Sequence, residues 1–158
     1  MHVENSICTR AAPDIIFALA SDVERWPEIL PHYRRVRVLG QRGQQKLVQM
    51  AAHRDGLPVS WTSVLEVRPA ERRILFEHVR GITRGMLVEW RIESRADGRT
   101  QVSIGHDFSP DWPLIGGWPA RLVIGEFFVR NIAAKTLRRI AHIAESQQTS
   151  GLPQSRRQ

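Results

Sequence analysis

Residues 86–108 read MLVEWRIESRADGRTQVSIGHDF, and this stretch decides the fold class. Met86, Val88, Trp90 and Ile92 alternate with Leu87, Glu89, Arg91 and Glu93, the period of two that a half-buried strand requires. Beyond Asp97-Gly98, a dipeptide suited to a tight hairpin turn, Val102, Ile104, His106 and Phe108 alternate with Gln101, Ser103, Gly105 and Asp107. Two strands joined by so short a turn pair antiparallel.

The same pattern extends backward from Met86. Strands are expected at residues 33–39, 45–53, 59–67 and 73–80, with turn signals at Arg42-Gly43 and Asp55-Gly56. Parity puts Trp61, Ser63, Leu65 and Val67 on one face of the fourth strand, and Ile74, Phe76 and His78 on one face of the fifth. Val3, Asn5, Ile7 and Thr9 define a first strand. Pro13 suits the first turn of a helix carrying Ile15, Ile16, Phe17, Leu19 and Ala20, because its missing N–H falls where a helix offers no partner. A second short helix is expected from Asp22 to Trp26, capped by Ser21 or Asp22 and halted by Pro27.

After a loop at residues 109–113 and the Gly116-Gly117 pair, Pro119 opens a long helix to Glu145. Its apolar stripe runs Leu122, Gly125, Val129, Ile132, Ala133, Thr136, Leu137, Ile140 and Ala144, over a length on the order of 40 Å. The expectation is an α+β fold: a curved seven-stranded antiparallel sheet wrapped around that helix, with two short helices after strand one. The domain is expected to span residues 1–145, and residues 146–158, which lack an apolar period, to form a disordered basic tail.

Composition narrows the partners. A chain of 158 residues fits one core. Its start lacks a charged segment followed by an apolar one, and no run reaches the ~18 apolar residues of a membrane span, so a soluble, cytoplasmic protein is expected. Cys8 alone cannot form an internal disulfide and reads as a half-buried strand residue. The net charge of +7 is nearly all arginine, whose planar fork suits carboxylates and phosphates. The clusters Arg34-Arg35-Arg37 and Arg72-Arg73 lack interleaved aromatic residues, which argues against nucleic acid and leaves a solvated sheet surface or an acidic partner.

A twisted sheet curled around one helix leaves space for a ligand cavity. Its expected lining is Trp61, Ser63, Leu65, Phe76, Met86, Val88, Trp90, Ile104 and Phe108 from the sheet, facing Val129, Ile132, Ala133 and Thr136 from the helix. Tyr33, His78 and His106 supply the polar groups, a set suited to a flat or elongated apolar ligand bearing a few oxygens. The competing reading is a filled core with satisfied histidines. His106 and Asp107 are adjacent in sequence but fall on opposite sheet faces, so they form no relay with each other. There is no GxSxG elbow, no HExxH and no phosphate-loop ending, so no metal or cofactor is expected.

Residues 12–17 (APDIIF), 21–27 (SDVERWP) and 30–33 (LPHY), with Val59-Ser60-Trp61, His106-Asp107-Phe108 and the long C-terminal helix, resemble the START-like, helix-grip superfamily. That superfamily includes polyketide cyclases/aromatases, coenzyme Q-binding START proteins and pollen allergens of the Bet v 1 type, and the resemblance covers about Val3 to Glu145. In the cyclase branch it implies a poly-β-ketone held on an acyl carrier protein, aldol cyclisation and dehydration. It also implies cavity arginines on the middle strands and a tyrosine near the start of strand two. Those positions read Leu65, His78 and Tyr33 here, so His78, His106 and Tyr33 become the expected catalytic groups. Three readings stand: such a cyclase docking an acidic carrier through surface arginines; a non-catalytic lipid or quinone carrier; and a ribosome-associated interaction module. The oligomeric state is not legible.

Overall fold

The computed structural model describes residues 2–54, 56–81, 83–108 and 129–151. Seven strands form one antiparallel sheet: β1 (His2–Thr9), β2 (Tyr33–Arg42), β3 (Gln45–Arg54), β4 (Leu57–Arg68), β5 (Arg73–Gly81), β6 (Met86–Ser94) and β7 (Thr100–Phe108). Their order is β1-β7-β6-β5-β4-β3-β2, so each hairpin neighbour in sequence is a neighbour in space and β1 and β2 form the edges. Helix α1 (Pro13–Ser21) and one-turn helix α2 (Trp26–Ile29) lie in the connection between those edges, and α3 (Val129–Ser150) crosses the concave face. The architecture is the expected α+β helix grip.

Parity holds across the sheet. On β6 Met86, Val88, Trp90 and Ile92 are buried, while Leu87 is 53% exposed on the convex side. One irregularity matters for the site. Tyr33 pairs with Ala52 and Arg35 with Ala51, so Arg34 is an extra residue that bulges from the ladder. The bulge lets buried Tyr33 and half-buried Val36 and Val38 share the inner side despite their opposite parity.

Three local expectations are corrected. Instead of one helix from Asp22 to Trp26, a 3-10 turn at Val23–Arg25 runs into α2, and Pro27 sits in the first turn of α2, where its fixed φ starts a helix. Neither Ser21 nor Asp22 caps through its side chain; the Ser21 hydroxyl donates back to the Ala18 carbonyl. Cys8 is exposed, on the outer side of an edge strand.

Helix α3 continues to Ser150, so residues 146–150 are helical where a disordered tail was expected. The reason is polar. The Gln148 side chain accepts from the Ala12 N–H at 2.7 Å and donates to the Arg10 carbonyl at 3.3 Å. One turn earlier, the Glu145 carboxylate accepts from the Thr9 hydroxyl at 2.6 Å and from the Arg10 N–H at 3.2 Å. These contacts clamp the end of α3 to the exit of β1, a signal that apolar periodicity does not register. The expected helix start at Pro119, with Leu122 and Gly125, lies outside the described residues, as do residues 152–158. The 22 described residues of α3 span about 33 Å.

Within α3, Ala133, Leu137, Ile140 and Ala144 are buried at spacings of four, three and four, facing the sheet. Replacing Glu145 with Ala leaves the Thr9 hydroxyl and the Arg10 N–H unpaired. We expect a loss of about 1 kcal/mol in urea unfolding, with Glu145→Gln intermediate, since an amide oxygen still accepts. An unchanged midpoint for Glu145→Ala contradicts the clamp.

Candidate functional site

Between the concave face of the sheet and the first two described turns of α3 lies a cavity of about 60 Å³, room for a few water molecules. Sheet register builds its wall. Phe76 of β5 pairs with Val88 of β6, and Val88 with His106 of β7; the adjoining inward row holds His78, Met86 and Phe108. His78 and His106 therefore sit diagonally on two strands separated by β6, with backbones on the order of 10 Å apart.

Among the expected ligand residues, Trp61, Phe76, Met86, Val88, Trp90 and Ile104 line the cavity from the sheet, and Ile132, Ala133 and Thr136 line it from α3. Tyr33, His78 and His106 are in the same wall. Ser63, Leu65 and Phe108 are buried beside it without lining it. The Val129 side chain lies outside the described residues. The structure adds three residues to the lining: Trp26, Met50 and Thr83. Met50 was legible, since Val48, Met50 and Ala52 share the buried face of β3. Trp26 and Thr83 come from a short helix and a turn, where no strand period places a side chain.

Thr83 is carried inward by the β5–β6 turn. Gly81 begins that turn at φ +97, and a Cβ there would stand 2.6 Å from the Ser60 carbonyl oxygen, so only glycine lets the turn pack against β4. The Gly85 N–H donates to the His78 carbonyl at 2.8 Å, and Thr83, 2% exposed, meets His78 side chain to side chain. Thr83 Oγ1 and His78 Nδ1 are 2.6 Å apart. On its other side the His78 ring stacks on Trp61, with centroids 5.7 Å apart and planes within 9°. Held on both sides, His78 has one ring nitrogen, Nε2, left for a guest.

Burial controls the charge of these groups. His78 is lowered to about 3, first by burial and then by the neighbouring His106. His106 is lowered to about 4 by burial, which outweighs the raising effect of Asp107. Asp107 lies on the convex face, where its carboxylate meets His2 Nδ1 at 2.7 Å, in keeping with the expectation that it forms no relay with His106. His32 Nε2 stands 2.8 Å from Thr136 Oγ1 and is lowered to about 4 by burial and by Lys135. The Tyr33 phenol is pushed up by burial, so it stays protonated. At neutral pH every polar group of the wall is uncharged.

Three buried polar atoms on these strands lack a hydrogen-bond partner among the described residues: Trp61 Nε1, Ser63 Oγ and His106 Nδ1. An unpaired buried donor or acceptor costs about 1–3 kcal/mol, so Trp61 and His106, which line the cavity, call for a water or a guest oxygen there. No helix of the described residues is long and apolar enough to cross a membrane.

Residues 9–136 match the profile of a family described as "Polyketide cyclase / dehydrase and lipid transport". The chain is 30% identical over 146 residues to the granaticin polyketide synthase bifunctional cyclase/dehydratase of Streptomyces violaceoruber, covering 90% of this chain and 44% of that protein. It is 31% identical over 119 residues to a protein provisionally named a polyketide cyclase in Streptomyces cyaneus, covering 72% of this chain and 77% of that one. The crystal structure of the Zhui aromatase/cyclase from Streptomyces sp. R1128 superimposes with a TM-score of 0.83 at 25% identity, covering 96% of this chain and 98% of that one. The chain thus spans less than half the length of the granaticin protein. With a seven-stranded sheet gripping α3 and a family match over most of its length, the chain belongs to the polyketide cyclase/dehydrase and lipid transport family, within the START-like, Bet v 1-like superfamily.

Proposed function

We propose that the protein binds a poly-β-ketone chain in this cavity and promotes its aldol cyclisation and dehydration, with His78, His106 and Tyr33 as the catalytic groups. The observation that carries the reading is the pair of uncharged imidazoles set in a wall that is mostly apolar, its other polar groups being neutral hydroxyls and indole N–H groups. Aldol closure removes a proton from a carbon between two carbonyls, joins that carbon to the carbon of a further carbonyl along the chain, and protonates the resulting alkoxide. Loss of that hydroxyl, protonated, together with a proton from the adjacent carbon releases water and leaves a double bond.

The chain's own residues fit those steps. His106 Nδ1, buried and unpartnered, is the candidate acceptor of the carbon-bound proton. A histidine with a pKa near 4 is a weak base, but negative charge growing on an adjacent ketone oxygen raises its proton affinity as the reaction proceeds. Neutral donors hold that oxygen: the Tyr33 hydroxyl and the Trp61 indole N–H, which has no competing partner among the described residues. His78, oriented by Thr83 and Trp61, presents Nε2 for protonating the alkoxide or the departing hydroxyl. Met50 and Met86 are the adaptable parts of the wall where a guest larger than 60 Å³ makes room.

Buried Leu65 favours a second reading, non-catalytic carriage of a lipid or quinone, because the site there has no fixed positive charge for an enolate. Turnover separates the two. Presented with a carrier-bound poly-β-ketone and assayed by chromatography and mass spectrometry, the wild type should form cyclised, dehydrated product. His106→Gln and His78→Gln should each lower the rate about 100-fold or more while keeping affinity within a few-fold. No wild-type turnover, with affinity lost in Trp61→Ala, decides for the carrier.

The neutral imidazoles also fix an acid limit. His78 and His106 titrate near 3 and 4 folded against 6.5 when exposed, so below pH 6.5 the unfolded chain binds more protons. Stability is full above about pH 6.5 and falls as the pH drops through the folded values, by up to about tenfold in the folding equilibrium per pH unit for each histidine. In urea melts at pH 7 and pH 4.5, His106→Gln should lose less stability on acidification than the wild type. An equal loss contradicts a buried neutral His106.

A further inference from the structure

Residues 33–54, the β2–β3 hairpin, hold five arginines, one lysine and no acidic residue, which is six of the chain's seven net positive charges. Arg34, Arg35, Arg37 and Arg42 are exposed and Lys46 is partly so. None of these five forms an ion pair or a side-chain hydrogen bond among the described residues. Elsewhere six arginines are committed, Arg25 to Glu28, Arg68 to Glu66, Arg72 to Asp14, Arg73 to Glu89, Arg91 to Glu4 and Arg95 to Asp97, while Arg80, Arg84 and Arg138 stand singly, exposed and without an ion pair among the described residues. The uncompensated positive charge is thus densest at one edge of the sheet, where no acidic residue interrupts it.

We infer that this β2–β3 edge is a docking surface for an acidic protein. Keeping the edge strand charged would by itself discourage sheet-to-sheet aggregation. That need is met at the other edge, β1, with a mixture of charges, where Glu4 pairs with Arg91 and His2 with Asp107, so it does not require a hairpin free of acids. Two large apolar side chains lie within the patch, Leu39 at 50% and Leu47 at 37% exposure. Apolar anchors among arginines match a protein surface bearing carboxylates and a few hydrophobic residues. Nucleic acid fits less well, since the patch exposes no aromatic ring for base stacking and its only aromatic residue, Tyr33, faces the cavity. The position couples docking to the site: Arg34 and Arg35 follow Tyr33 directly, so a partner bound there stands one residue from the cavity wall.

The choice of probe rests on the carrier-bound substrate proposed above. A fluorescently labelled acidic acyl carrier protein is titrated with the full chain, with the triple variant R34S/R35S/R37S, and with R95S as a control on a committed arginine. The wild type and R95S should bind alike, more weakly as salt rises, and the triple variant should bind about tenfold more weakly or worse. Absence of wild-type binding, equal binding by the triple variant, or tighter binding of a single-stranded oligonucleotide at the same salt overturns the inference. Binding is read without turnover, so failure of the cyclisation chemistry leaves this result standing, and failure of docking leaves turnover of a free small thioester intact.

Discussion

The packing of Trp26 sets where the core stops and the cavity begins. Its ring lies 4.9 Å from that of Tyr33, 5.9 Å from Phe76 and 5.8 Å from Trp90, joining three strands of the sheet to the short helix α2. Its indole N–H donates to the Leu19 carbonyl at 3.4 Å, which fastens the exit of α1 to the same point. On one side of this junction the space between sheet and helix is filled by Ile74, Ile92, Val102, Leu137, Ile140 and Ala144. On the other side Ile132, Ala133 and Thr136 face strands they do not fully reach. Remove the large ring and three aromatic neighbours lose their common contact, so the partition between solid core and open wall depends on it.

The same partition explains the electrostatics. Groups on the open side are shielded from solvent by the aromatic cluster and by α3, and the one nearby carboxylate among the described residues, Asp107 on the convex face, raises His106 by less than burial lowers it. Desolvation then dominates and the imidazoles stay neutral. Among the described residues the wall offers only neutral donors and acceptors, so any charge that develops there must arise on the guest. Such a wall suits a ligand that enters uncharged and acquires charge briefly, which fits a ketone better than a carboxylate or a phosphate.

Much of the architecture was legible because strands announce themselves by alternation. All seven strands, and the inward placement of His78, Trp90 and His106, follow from parity. Tyr33 is the instructive exception. Its parity conflicts with Val36 and Val38 unless a bulge intervenes, and nothing in the residue string YRRVRV marks Arg34 as the extra residue. Thr83 was hidden for a related reason: a turn has no period, and only the left-handed backbone at Gly81 aims it inward. The last turn of α3 was misread because its order comes from Gln148 and Glu145 gripping the backbone of residues 10–12, a long-range polar effect that a search for apolar stripes passes over. Pro27 was ambiguous in principle, since the residue that halts one helix also opens the next.

The central claim is that two neutral histidines on the cavity wall meet the guest. Nitrogen-15 NMR of histidine-labelled protein, titrated with pH and then with an aromatic polyketide analogue, reads that directly. The account predicts that His78 and His106 remain uncharged down to about pH 5 and that their ring nitrogens shift on adding the analogue while His53 and His142, which lie outside the cavity wall, do not. Ordinary titration near pH 6.5 for both residues, with no response to the analogue, would contradict it.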